Sequence, residues 1–142
     1  MSASLLVFEV RGAEKAYAID VERVLNVIEP TVMTPVPLLP GLVRGIVSHR
    51  GRIVTVVDAG VLLKAGARAG NDVHVSPNLM QVLVLRDGSR DTGNVGLEVG
   101  KIRTIESAES LGEGVVVVDS EAMRAELELR VVDAIASQGV LR

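Results

Sequence analysis

The chain has 142 residues and a net charge of −3, and 48% of it is apolar although Phe8 and Tyr17 are its only aromatics. Such a length suffices for one domain with its own core, whereas the acidic balance and the lack of stacking platforms argue against a nucleic-acid binder. The absence of cysteine excludes disulfides and thiolate chemistry, and two histidines, His49 and His74, are too few for a histidine-rich metal centre.

In chain order, LLVFEV (residues 5–10) reads as a buried strand and RGAEKA as a turn. The N-terminal MSASLLVFEV has no basic region and too short an apolar run for a signal peptide, and no stretch approaches the ~20 apolar residues of a membrane span, so a cytoplasmic protein is expected. In YAIDVERVLNVIEP, Val21, Val24, Leu25 and Ile28 have helical spacing, but the β-branched content favours a single helical turn opened by Asp20 and then a strand ending at Pro30. TVMTPVPLLPG, with its crowded prolines, reads as an extended loop. Two strands then meet at HRGR, a hairpin in which Gly51 takes the positive φ. AGVLLKAG is a short helical piece, and about 64–79 is a polar, mobile linker.

After the linker the pattern repeats. QVLVLRDG matches LLVFEVRG, VGLEVGKIRTI matches YAIDVERVLNV with Val95 under Tyr17, and GEGVVVVDSEAM matches GRIVTVVDAGVL with Asp119 under Asp58. The offset drops from 78 before the proline loop to 61 after it, so copy two is shorter by about 17 residues. What it lacks is the counterpart of the proline loop and of the strand GLVRGIVS. Duplicated sets of short strands suggest two similar subdomains, an all-β arrangement of small barrels or sandwiches in which the second is truncated. Copy one covers about 5–63, copy two about 80–119, and a C-terminal helix about 120–138. In that helix Met123, Leu127, Val131 and Ile135 form an apolar stripe read as covering the domain's own core, Asp119 or Ser120 caps the start, Gly139 stops it, and Glu126 pairs with Arg130.

Three groups of residues have chemistry to offer. Asp58 and Asp119 each end a valine strand and precede a helical piece; paired carboxylates do acid–base work, but an aspartate at such a junction is the usual N-cap. The glycines of GNVGLEVG (93–100) lack the lysine and hydroxyl of a phosphate loop and are read as turn and close-packing glycines. A hydrolase or isomerase using Asp58, Asp119 or His49 is a remote alternative. The third group, Arg44, His49, Arg50 and Arg52, is either a solvated hairpin tip or a contact surface for a carboxylate or polar partner. It is too narrow for nucleic acid. Copy two sets Leu111 under Arg50 and Glu113 under Arg52, so the hairpin itself does not require arginine at these places.

The proline loop running into GLVRGIVSHRGRIVTVVD, together with the later GLEV, resembles CheW-like domains, the coupling proteins of bacterial chemosensory arrays. The family pattern there is roughly P-x-x-x-x-G-x-x-N-x-R-G-x-x-x-P-x-x-D, and the likeness extends over nearly the whole chain. The resemblance implies two five-stranded, SH3-like barrels related by pseudo-symmetry and a non-enzymatic adaptor with no catalytic residue, metal or cofactor. It implies two partners, the cytoplasmic tip of a chemoreceptor held in the groove between barrels and the homologous regulatory domain of a histidine kinase. By position Arg50 and Gly51 match the family's Arg-Gly, and Val24, Asn26 and Val27 match the strand lining the groove beside it. With His49 and Arg52 these are the candidate partner-binding residues. Ser48–His49 stands where the family has Asn–Leu, and Asn26 where a glutamate often pairs with the arginine. The shortened second copy is similar to divergent members such as those of gliding myxobacteria. It implies a receptor-binding adaptor that docks weakly or not at all on the kinase; the alternative is an ordinary coupling protein bridging the two, or one that joins other CheW-like proteins.

Overall fold

In a computed structural model, described over residues 3–10, 13–29, 32–35, 41–64, 81–88, 90 and 92–137, the chain forms β1 (Ser4–Glu9), β2 (Ala16–Asp20), β3 (Val24–Ile28), β4 (Val43–His49), β5 (Arg52–Asp58), α1 (Ala59–Leu62), β6 (Gln81–Leu85), β7 (Val95–Val99), β8 (Lys101–Ser107), β9 (Val115–Val117) and α2 (Ser120–Ser137). Asp20 accepts a hydrogen bond from the Glu22 backbone N–H at 2.9 Å and opens a single 3-10 turn, as its place before a valine strand suggested. Before that turn lies β2, an additional strand that sequence reading leaves unassigned. Much of the predicted proline loop (residues 36–40), the predicted linker beyond Lys64 with its His74, and Gly139 lie outside the described residues.

The strands form two sheets, ordered β8-β1-β2-β9 and β3-β6-β7-β5-β4. The duplication is present, but it does not divide one copy per sheet. The antiparallel pair β1–β2 of copy one is flanked by β8 and β9 of copy two, and the pair β6–β7 of copy two by β3 and β5 of copy one. Corresponding residues make corresponding pairs: Asp20 faces Leu5 as Glu98 faces Val82, and Ile105 faces Leu6 as Val27 faces Leu83. This corrects the alignment of the first strand. Setting QVLVL on LLVFE places Leu83 under Val7, whereas the pairings give Leu83 the position of Leu6. A one-residue slip exchanges the two faces of a strand.

The five-stranded sheet closes into a barrel. The segment after β3 returns to β4, where Thr34 and Ile46 exchange backbone hydrogen bonds of 2.9 and 2.8 Å. Ile28, Val47, Val54, Val56, Val82 and Val84 fill its interior. Among the described residues the other sheet has four strands, and the absent one is the counterpart of β4, as the shortened second copy predicts. Its inner face holds the smaller cluster Leu5, Val7, Ala16 and Ala18. The difference is plainest at one pair of equivalent residues: Val56 on β5 is 0% exposed, whereas Val117 on β9 is 56% exposed. Val56→Ala is accordingly expected to cost about 2 kcal/mol in chemical denaturation, and Val117→Ala to lie within about 0.5 kcal/mol of the parent.

Between the sheets lies the largest core, in which Leu6, Phe8, Tyr17 and Ile19 meet Val57, Leu83, Leu85, Leu97 and Val99. The strands are therefore covered on both faces, which is why LLVF and VLVL read as unbroken apolar runs. α2 closes one side of this core with Met123, and Leu127 packs beside it. Arg124 ties the helix down by donating to the Asp87 carboxylate at 2.9 Å and the Arg86 carbonyl at 2.7 Å. Farther along, Arg130 donates to Glu126 at 2.9 Å, and this bond, with the nearby Lys64 charge, holds the Glu126 carboxyl below its ordinary range. The two conspicuous aspartates are caps: Asp58 accepts from the Val61 N–H at 3.2 Å to start α1, and Asp119 accepts from the Glu121 and Ala122 N–H groups at 3.0 and 3.1 Å to start α2.

Candidate partner-binding site

β4 and β5 pair antiparallel from Val43 to His49 and join through Arg50 and Gly51 alone. A two-residue hairpin loop of type I′ needs positive φ at both positions, because that twist matches the flanking strands. Gly51 has φ 76° and Arg50 φ 52°, so the arginine shares a conformation the sequence reading gave to the glycine only. Copy two has no such turn among the described residues, since β9 has no preceding strand to join. Arg50 and Arg52 are exposed, and neither has an ion-pair partner among the described residues.

The tip stands over two recesses. In one, of about 210 Å³, Arg50, Arg52 and His49 meet Asn26 and Leu25 of β3, with Thr92 and Gly93 as the far wall. Gly93 is required there by packing, because a Cβ would collide with the Leu85 carbonyl oxygen. The other recess, of about 560 Å³, is lined by Val27, Val32, Ile46, Ser48 and again His49. Val27 is 45% exposed and Val32 74% exposed, so apolar side chains stand open to solvent here, beside the polar groups of Glu29, Thr34 and Ser48. His49 belongs to both, and its Nε2 is buried without a hydrogen-bond partner among the described residues. A polar partner for this atom would remove the cost of leaving it unpaired.

Six of the seven candidate residues, His49, Arg50, Gly51, Arg52, Asn26 and Val27, thus surround one hairpin tip. Val24 lies apart from them, packed against the inter-sheet core. Arg44 also leaves the basic group: it sits where β4 is irregular, with its Nε 3.3 Å from Oε1 of the buried Glu98 on β7. Its role is to balance a carboxylate taken out of water. Thr92, Val32 and Ile46 were not singled out from the sequence, while Leu25 was read only for its spacing and Gly93 only as a turn or close-packing glycine.

Comparison with known proteins gives the family. The CheW-like domain model matches residues 4–124, which include every described strand of both sheets. A chemotaxis protein CheW of Thermotoga maritima is 42% identical over 50 residues, which are 35% of this chain and 33% of that protein, so the chain spans about a third of that curated relative's length. The crystal structure of scaffolding protein TtCheW from Thermoanaerobacter tengcongensis superposes with a TM-score of 0.58 at 21% identity, over 75% of this chain and 66% of that one. No helix among the described residues is long and apolar enough to cross a membrane. With the matched region running through both sheets and the fold shared with a solved CheW, this chain belongs to the CheW-like domain family, a non-enzymatic family of scaffolding and coupling proteins.

Proposed function

We propose that the chain is a cytoplasmic adaptor of a chemosensory array that binds the tip of a chemoreceptor through the β4–β5 hairpin and the recesses beneath it. In this reading both repeat copies act as one unit. Arg50 and Arg52 contact acidic or polar groups on the receptor, Val27 supplies apolar contact, and a receptor polar group satisfies His49. Docking on the histidine-kinase regulatory domain is weak or absent, because the sheet that would carry part of that contact has four strands among the described residues, against five in the other. The observation that supports this best is the asymmetry of the two sheets among the described residues, one closed and carrying an Arg-Gly turn with unpaired cations, the other open.

The test uses a substitution that the turn tolerates. Asparagine is the residue most favoured at the first position of a type I′ turn, so Arg50→Asn keeps the hairpin while removing the guanidinium. It is expected to weaken binding of a receptor-tip fragment about tenfold, measured by calorimetry against an unchanged melting temperature. An unchanged affinity would leave the hairpin as a solvated tip.

A further inference from the structure

Among the described residues the open sheet ends at an edge that is covered in the closed sheet, so the neighbour it would take can be described residue by residue. β5 and β9 hold equivalent places: Val56 pairs in parallel with Gly96 of β7, and Val117 pairs in parallel with Ala18 of β2. On its other side β5 carries β4 in antiparallel register, with Gly45 opposite Val56, Val47 opposite Val54 and His49 opposite Arg52. Among the described residues nothing stands in that position beside β9, which ends its sheet. Val115 and Val117 alternate onto the same face, toward Leu5 and Val7, yet Val117 remains mostly in water. Val118 donates its N–H to Ala18 on β2, so by alternation the N–H of Val117 points outward.

Around the ends of this edge the acidic groups Glu14, Asp20, Glu113 and Asp119 outnumber the single cation, Lys15. Glu14 and Glu113 precede the paired residues of β2 and β9 at one end, and Asp20 and Asp119 follow them at the other. Asp20 holds the place that Glu98 holds in the closed sheet, where β4 brings Arg44 to it. An incoming strand with an arginine or lysine at the position of Arg44 would face Asp20 in the same way. A second copy of this chain fits less well. Antiparallel pairing of two β9 strands about Val116 would set Glu113 of one against Asp119 of the other, and like charges directly opposite destabilise a strand pair.

We propose that the outer edge of β9 is a docking site for an extended segment of a partner protein, apolar at alternate positions and carrying an arginine or lysine, which adds an antiparallel fifth strand to the open sheet. Main-chain hydrogen bonds supply the affinity, and the inward side chains, with the basic residue facing Asp20, supply the selectivity. The strand covers Val115 and Val117 as Val47 and its neighbours cover Val54 and Val56. The proposal is independent of the receptor reading, which concerns the β4–β5 face.

The natural probe is a fluorescently labelled peptide of residues 41–50, GLVRGIVSHR, titrated into the full chain and followed by anisotropy. Saturable binding is expected. It should weaken about tenfold when the peptide carries Val47→Asp, through lost apolar burial at Val115, and about tenfold when it carries Arg44→Glu. The chain variant Val117→Asp, at an exposed position, should keep its melting temperature and lose binding about tenfold as well. Equal affinity for all three peptides, indifference to Val117→Asp, or no binding up to about 1 mM peptide overturns the proposal. So does a dimer in sedimentation that Val117→Asp dissociates, which would make a second copy the occupant. Slow hydrogen exchange of the Val117 amide in the free monomer would overturn it too, since the edge would then be covered by the chain itself.

Discussion

Replacing Phe8 by alanine is expected to destabilise the chain by about 4 kcal/mol, a large share of a domain's whole stability. Phe8 is 0% exposed and belongs to the core between the two sheets. Its ring stacks on Tyr17 with centroids 6.2 Å apart, and these two are the chain's only aromatics, so no ring besides Tyr17 is at hand to fill the space. The surrounding residues are mostly valine and leucine on strands fixed by pairing on both sides, which limits collapse around the cavity. Urea denaturation followed by circular dichroism reads the effect directly. A loss under about 1 kcal/mol would mean that the sheets are not held together through this core.

Gly45→Ala should also be strongly damaging. A Cβ at this position would lie 2.5 Å from the Thr34 carbonyl oxygen and 2.8 Å from Cγ of Met33, and the residue has a φ of 155°. Thr34 is the residue that closes the barrel by pairing with Ile46, so the alanine pushes against the closure itself. Strain of this kind and the loss of the paired hydrogen bonds together are expected to cost about 3 kcal/mol. The accompanying signature is faster hydrogen exchange at the Ile46 amide, whose partner is the Thr34 carbonyl. Wild-type exchange at Ile46 in the variant would show that the segment after β3 does not close the barrel.

How much of this was visible in the sequence depends on the range over which each feature acts. The caps were legible because Asp58 and Asp119 act on N–H groups two or three residues away. The truncation was legible because deleted residues change the repeat offset. Strand exchange was not, since the pairing of β1 with β8 and of β3 with β6 is settled by packing between distant segments. The phase of the first repeat strand was lost for a related reason: LLVF and VLVL are buried on both faces, so no polar alternation marks which residue points where. At the candidate site, His49, Arg50, Gly51 and Arg52 come from one turn and were found together. Thr92 and Gly93 reach the same recess from another strand pair, and Arg44 leaves it for Glu98, a partner on β7.

In the proposed function the open sheet, four-stranded among the described residues, leaves receptor binding intact and weakens kinase docking. The measurement that reaches it most directly titrates the purified chain with a receptor-tip fragment and, separately, with a histidine-kinase regulatory domain, by calorimetry under the same conditions. Saturable binding to the receptor tip with weak or no binding to the kinase domain is the expected result. Strong kinase binding without receptor binding would contradict it.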